Sequence, residues 1–286
     1  MSGRLGLSGV PLFALTSEPS MPVISSDAAA PAHLQRTRPN LLTLISIAAV
    51  ASALIGFARE TIGHAIAARL ADTDWFSTST VFAQLNTPAR LSGACGTLVN
   101  LALGGMAAAL VRIDRRFTPG WYFLWVFGCV SLMSSGRLLY SAISVTGDWS
   151  AILLRFNPPW LWRTLLAAAG IFIYRPALRF AVAALRDLVV RREVACQDLW
   201  RLVLAAYLTA SILFTVRAAL RPVNGGVVEV GILGISFGVN LGLLIVPALI
   251  SKPVESEQIV SRSIPFHWLW LTFGIASAFA FLAALR

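Results

Sequence analysis

Charge is scarce in this chain. Asp, Glu, Lys and Arg together make up 13% of 286 residues, about half the share found in an ordinary soluble domain. Acid is scarcer than base: 13 Asp and Glu face 23 Lys and Arg, for a formal net charge of +10. The arginines lie singly or in small groups between apolar runs and form no contiguous basic tract, so they read as topology signals and not as a nucleic-acid surface. Cysteine is nearly missing. Cys95, Cys129 and Cys196 show neither CxxC spacing nor an even framework, and two of them fall in apolar runs, where a small packing role suffices. The chain has no GxGxxG, no Walker loop, no G-x-S-x-G and no long periodic repeat. Nucleotide-driven work and serine-hydrolase chemistry therefore have no support.

What the chain has in abundance is hydrocarbon: 57% hydrophobic residues and a mean hydropathy of +0.75. Runs near the length that crosses about 30 Å of bilayer occur at 41–57, 92–111, 120–136, 202–216, 230–250 and 264–285. A seventh, 160–181, is interrupted by Arg163 and Arg175. In lipid every backbone N–H and C=O must be bonded within the segment, so the runs should be helices. The expected fold is all-α, a polytopic transmembrane bundle of six or seven spans, with the lipid bilayer as its first partner.

Residues 1–40 are rich in Ser, Pro and Ala and are expected to be a disordered tail. Arg4 followed by a Gly- and Pro-broken apolar stretch makes a poor signal peptide, so the first run reads as an uncleaved anchor, and Met21 is an alternative start. With seven spans and the N-terminus in the cytoplasm, the larger share of Arg and Lys, including Arg112, Arg115 and Arg116, falls on the cytoplasmic side. A bacterial-type cytoplasmic membrane is the expected location. The assignment hangs on the fourth run, because a re-entrant segment there would exchange the sides of every later loop. Segment 181–200 is amphipathic, setting Leu185, Leu188, Val189 and Leu199 against Arg186, Arg191, Arg192 and Glu193. It is expected along the cytoplasmic headgroups.

Chemistry concentrates at Arg59-Glu60-Thr61-Ile62-Gly63-His64. Residues four apart share a helix face, so Ala48, Ser52, Gly56, Glu60, His64 and Ala68 form one stripe, small until it becomes ionisable. A matching stripe, Gly96, Asn100, Gly104 and Ala108, follows on the second run. Small residues let two helices approach closely. An ionisable pair in a membrane span is by default a functional site, although a wet helix end with tight packing would also account for it.

The stretch FARETIGHAIAARL resembles the zinc helix of the site-2 protease-like (M50) membrane metallopeptidases, whose motif is HExxH. Glu60 and His64 match its second and fifth positions, and Gly63 matches the glycine common before the second His. SGACGTLVNLALGG, residues 92–105, is similar to the family's second core helix, with Asn100 at its Asn. SVTGDWS, residues 144–150, puts Asp148 after the third run, where the family carries its third zinc ligand. The resemblance covers residues 41–150 and makes 151–286 additional helices. It implies zinc as cofactor, His64 and Asp148 as metal ligands, Glu60 as the general base toward metal-bound water, and a membrane protein as substrate or partner. In the family a short sheet follows the zinc helix, and residues 72–86 are β-prone and aromatic.

Two features depart from the family. Arg59 stands where the first His should be, and a guanidinium offers only donors. The Asp sits in GDW in place of an LDG-like turn. The reading is therefore a diverged relative of an intramembrane zinc endopeptidase, active or inactive, with Arg59 as a fixed cation reaching toward Asp148. The alternative is a non-enzymatic membrane scaffold or regulator. A transporter using Arg137, Asn100 and Asn240 along a polar path is the third class, although no pair of spans shows an inverted repeat. Gly234, Gly238 and Gly242 read as a packing face, and Glu229 as a helix-start charge. His267, amid Pro265, Trp268 and Trp270, reads as part of an interfacial belt or as a distant ligand.

Overall fold

The computed structural model describes residues 38–70, 87–114, 116–144, 149, 153, 156–220, 234–250 and 263–284, without the side chains of residues 64, 65, 67, 68, 70 and 87–93. Asp148, Glu229, Arg115, the 72–86 segment and residues 1–37 lie outside the described residues, as does the side chain of His64.

The fold is all-helical, as the hydropathy requires. Helix α1 runs Leu41–Leu70, α2 Thr87–Ile113, α3 Pro119–Met133, α4 Gly136–Ser144 and α5 Pro159–Val190. A short 3₁₀ turn, Cys196–Asp198, leads into α6 at Leu199–Ala219; α7 spans Gly242–Leu249 and α8 Trp268–Ala283. Five stretches are long and apolar enough to cross a membrane, α3 and α4 counting together, and Gly234–Leu249 and Trp268–Ala283 are shorter apolar helices. This is an integral membrane helix bundle. Its outer face agrees, since Ile113, Phe172, Trp268 and Phe279 are all largely exposed, as side chains facing lipid should be.

Local signals set the helix starts. Asn40 accepts from the Thr43 N–H at 3.1 Å, satisfying one of α1's orphan donors. Thr118 does the same for Trp121 at 3.1 Å, with Pro119 in the first turn of α3, where its missing N–H costs nothing. Around the centre, Trp121, Tyr122 and Trp125 of α3 are buried in the core, where α3 packs on α1, α2 and α5, and the Tyr122 hydroxyl donates to the Leu202 carbonyl of α6 at 2.7 Å. α1 is the hub, packing on α2, α3, α6 and α8.

The fourth run is one continuous helix, α5, which carries Arg163, Arg175 and even Pro176 within it. The amphipathic 181–200 segment is not a separate surface element. It is the last third of α5, a turn and the start of α6, and Leu185, Leu188 and Leu199 are buried in the main core. Arg192 makes the turn at φ 61°, and the Glu193 carboxylate accepts the Phe117 N–H at 2.5 Å, tying this turn to the α2–α3 connection.

Two apolar runs contain interruptions that hydropathy conceals. Ser134 and Ser135 form a turn between α3 and α4, and Val239–Leu241 form another ahead of α7. The second is clasped by Tyr174 of α5, whose hydroxyl donates to the Val239 carbonyl at 3.0 Å and accepts from the Gly242 N–H at 2.9 Å.

Candidate functional site

The end of α1 meets the start of α2 at a glycine pair. A Cβ on Gly63 would lie 2.5 Å from the Gly96 Cα, and one on Gly96 would lie 2.7 Å from the Arg59 Cγ. No larger residue fits between these backbones. The α1 side of the contact is Gly63 with Arg59; the stripe through Gly56 and Glu60 faces Phe281 of α8 and Arg217 of α6 instead. The Arg59 side chain lies along α2 at Gly96.

Glu60 projects on a different side, toward α6. It forms an ion pair with Arg217, which sits in the last turn of that helix. Arg217 is only 5% exposed. Its Nη1 donates to the Phe281 carbonyl of α8 at 2.8 Å, and its guanidinium carbon lies 3.9 Å from the centroid of the Phe281 ring. A buried cation is retained only when paired and hydrogen-bonded, and Arg217 has a carboxylate, a carbonyl and an aromatic face. It was not among the residues singled out in the sequence. The signal was there: Arg217 is a charge at the end of the apolar run 202–216, the same kind of feature that drew attention to Glu60.

Beside this ion pair lies a cavity of about 110 Å³. Arg59, Glu60, Arg137 and Arg217 supply its charges, and Asn100, Ser134, Ser236 and Asn240 its neutral polar groups. Both helix interruptions reach it, one through Ser134 and Arg137, the other through Val239 and Asn240. Irregular backbone at membrane depth is tolerated where it is buried in protein or lines a cavity. Among the neutral polar groups of the lining, Asn100 Oδ1, Ser134 Oγ and Asn240 Oδ1 are buried with no hydrogen-bond partner among the described residues.

The structure thus brings together Arg59, Glu60 and Asn100, and adds Arg137 and Asn240, the residues of the polar-path reading. It does not bring His267 to them. Thr43, near the start of α1, accepts the His267 N–H at 3.1 Å, and 17 residues of helix separate Thr43 from Glu60, about 25 Å at 1.5 Å per residue. Of the glycines ahead of α7, Gly234 faces the Tyr140 ring and Gly242 faces Tyr174, whereas Gly238 faces open space.

A catalytic zinc of the HExxH type needs three protein ligands and a free carboxylate to act on its water. The described part of the α1 motif does not fit this. Arg59 has no lone pair to give, and the Glu60 carboxylate is engaged by a buried guanidinium. Among the described residues no three His, Cys, Asp or Glu side chains gather in a metal-holding group. One contact does bear on the third expected ligand. Trp149, the residue after Asp148, donates its indole N–H to Thr97 Oγ1 at 3.3 Å, next to the Gly63–Gly96 contact.

Compared with family models, curated proteins and solved structures, the chain matches none.

Proposed function

We propose that this integral membrane protein is a non-hydrolytic binding protein, built on a core laid out like that of the site-2 protease-like metallopeptidases and diverged from them at the chemical centre. The Glu60–Arg217 ion pair carries this reading. A general base must be able to take a proton from water, and a carboxylate clamped by a buried guanidinium spends its charge on structure instead. Arg59 in the first ligand position acts in the same direction. What remains is a cavity with charged and polar groups set in a largely apolar lining, which suits recognition of a ligand or a membrane partner.

The core layout has its own support. The close α1–α2 approach at Gly63 and Gly96, and the Trp149–Thr97 hydrogen bond beside it, are what an arrangement of zinc helix, Asn helix and returning Asp segment would need. That same hydrogen bond favours the second reading, an active zinc peptidase using His64 and Asp148.

Metal content separates the two. Purified wild-type protein is expected to hold far less than one zinc per chain, and chelator should leave its thermal unfolding unchanged. The Arg59→His, Arg217→Met double variant frees Glu60 and restores the first ligand, and should gain zinc. One zinc per wild-type chain, lost in His64→Ala, would reverse the assignment in favour of the peptidase.

A further inference from the structure

We propose that the groove between the last third of α5 and the end of α7 holds one anionic phospholipid, with its phosphate on Arg179 and Arg186 and an acyl chain along the apolar wall beside them. This groove lies at the other end of the bundle from the ion-pair cavity, because α5 leads into the start of α6 whereas Arg217 lies in the last turn of that helix. Occupancy of the groove does not depend on the chemistry of the cavity. Three observations fix the class of ligand.

The first is charge. Arg179, Arg186 and Asp187 line the groove. Asp187 is already engaged, its Oδ2 lying 3.0 Å from the Arg191 Nε. The side chains of Arg179 and Arg186 are exposed and make no ion pair among the described residues, so two guanidiniums of the lining are left for an added anion. Guanidinium forks match phosphate oxygens in geometry as well as sign.

The second is shape. Leu178, Val182, Ala183 and Val190 line the same groove, and Leu249 of α7 joins them. On α5 the lining recurs every three to four residues from Leu178 to Val190, so it forms one helix face, about 18 Å long at 1.5 Å per residue. The groove therefore follows the helix axis, as an acyl chain does in a bilayer. Its volume of about 580 Å³ falls within the range of roughly 300–1,000 Å³ found for small-molecule sites.

The third is depth. Trp160, 68% exposed in the first turn of α5, has the place of an interfacial aromatic. Arg179 follows it by 19 positions, about 29 Å of helix, which matches the roughly 30 Å of a bilayer's hydrocarbon. Arg179 thus falls at the opposite boundary and Arg186, two turns on, lies beyond it, so the pair brackets the level of the lipid phosphates. A phosphate held there sends its acyl chains inward past Val182 and Leu178. A soluble phosphate would find the cations but make no use of this wall, and phosphatidylcholine would bring a cation of its own.

The test titrates the full chain in neutral detergent micelles with phosphatidylglycerol, and with phosphatidylcholine as the control, and counts bound lipid by native mass spectrometry. One phosphatidylglycerol per chain should bind at least roughly tenfold more tightly than phosphatidylcholine, since each arginine near an anionic headgroup contributes a factor of about five. Arg179→Gln and Arg186→Gln should each weaken phosphatidylglycerol binding roughly fivefold, and the double variant should bind the two lipids alike. The double variant Arg179→Lys, Arg186→Lys, which keeps the charge, should retain most of the preference. Ala183→Glu, which sets a carboxylate on the same exposed face between the two arginines, is a second route to its loss. Arg116→Gln removes a charge from the α2–α3 connection, at the same end of the bundle but outside the groove, and should leave binding unchanged. Equal binding of the two lipids by the wild type, an undiminished preference in the double Gln variant or in Ala183→Glu, or an equal loss in Arg116→Gln overturns the proposal. Displacement of phosphatidylglycerol by an equal concentration of glycerol 3-phosphate also overturns it, by assigning the two arginines to a soluble anion.

Discussion

Arg217 is the more deeply buried member of its ion pair, with a side chain 6% exposed against 24% for Glu60. The two single deletions should therefore not be equivalent. Glu60→Ala removes the carboxylate from a guanidinium inside the bundle, and breaking a buried pair from one side costs about 3–5 kcal/mol. Arg217→Met leaves a carboxylate that water can reach, and should cost less. The double variant Glu60→Gln, Arg217→Met should recover much of the loss, because two well-packed neutral groups often do as well as a buried pair. Chemical unfolding of the four proteins closes the cycle, and equal losses in the two singles would contradict this account. At this scale the sequence was half informative. Glu60, Arg59 and Asn100 announced themselves as polar groups in apolar surroundings, and all three line the cavity. Arg217 was equally visible but its partner was not, since 157 residues separate it from Glu60 and no local pattern encodes such a pairing.

Helices were easier to read than their interruptions. Apolar runs report the free energy of moving side chains into lipid, which does not change when the backbone hydrogen-bond ladder breaks. The run 120–136 thus hid the Ser134–Ser135 turn, and 230–250 hid the break at Val239–Leu241. Conversely, α1 continues to Leu70 through its ionisable residues, past the end of its apolar run, and Arg163 and Arg175 do not interrupt α5. The glycine contact between α1 and α2 gives a direct test of the packing. Gly63→Ala would drive a methyl into the Gly96 backbone and should cost about 1–3 kcal/mol. Gly105→Ala, where a Cβ meets open space, should be neutral or slightly stabilising. Similar midpoints for the two variants would mean that α1 and α2 are not held as described. At the far end, Glu193→Ala deprives the Phe117 N–H of its acceptor and should cost about 1–3 kcal/mol.

For the whole molecule, we propose an orientation from the loops that hold the arginines. The α2–α3 connection carries Arg112 and Arg116 and is expected in the cytoplasm, with the Gly63 end of α1 and the cavity on the opposite side. A reporter fused after Arg116 should be cytoplasmic, and one inserted between α1 and α2 should not; finding both on the same side would require a different topology. The cavity draws on α1, α2, the α3–α4 turn, α6, the segment before α7, and α8. Its wall therefore includes residues from Ile55 to Phe281, and this sets an order of events during synthesis. Arg217 enters the membrane with α6, its carboxylate already waiting on α1, but the Phe281 carbonyl and ring that complete its surroundings belong to the last described helix. Until α8 is in place the nascent chain holds a half-satisfied charge inside the bilayer. A ribosome stalled between α7 and α8 should therefore expose a protein that membrane quality control can distinguish from the finished one.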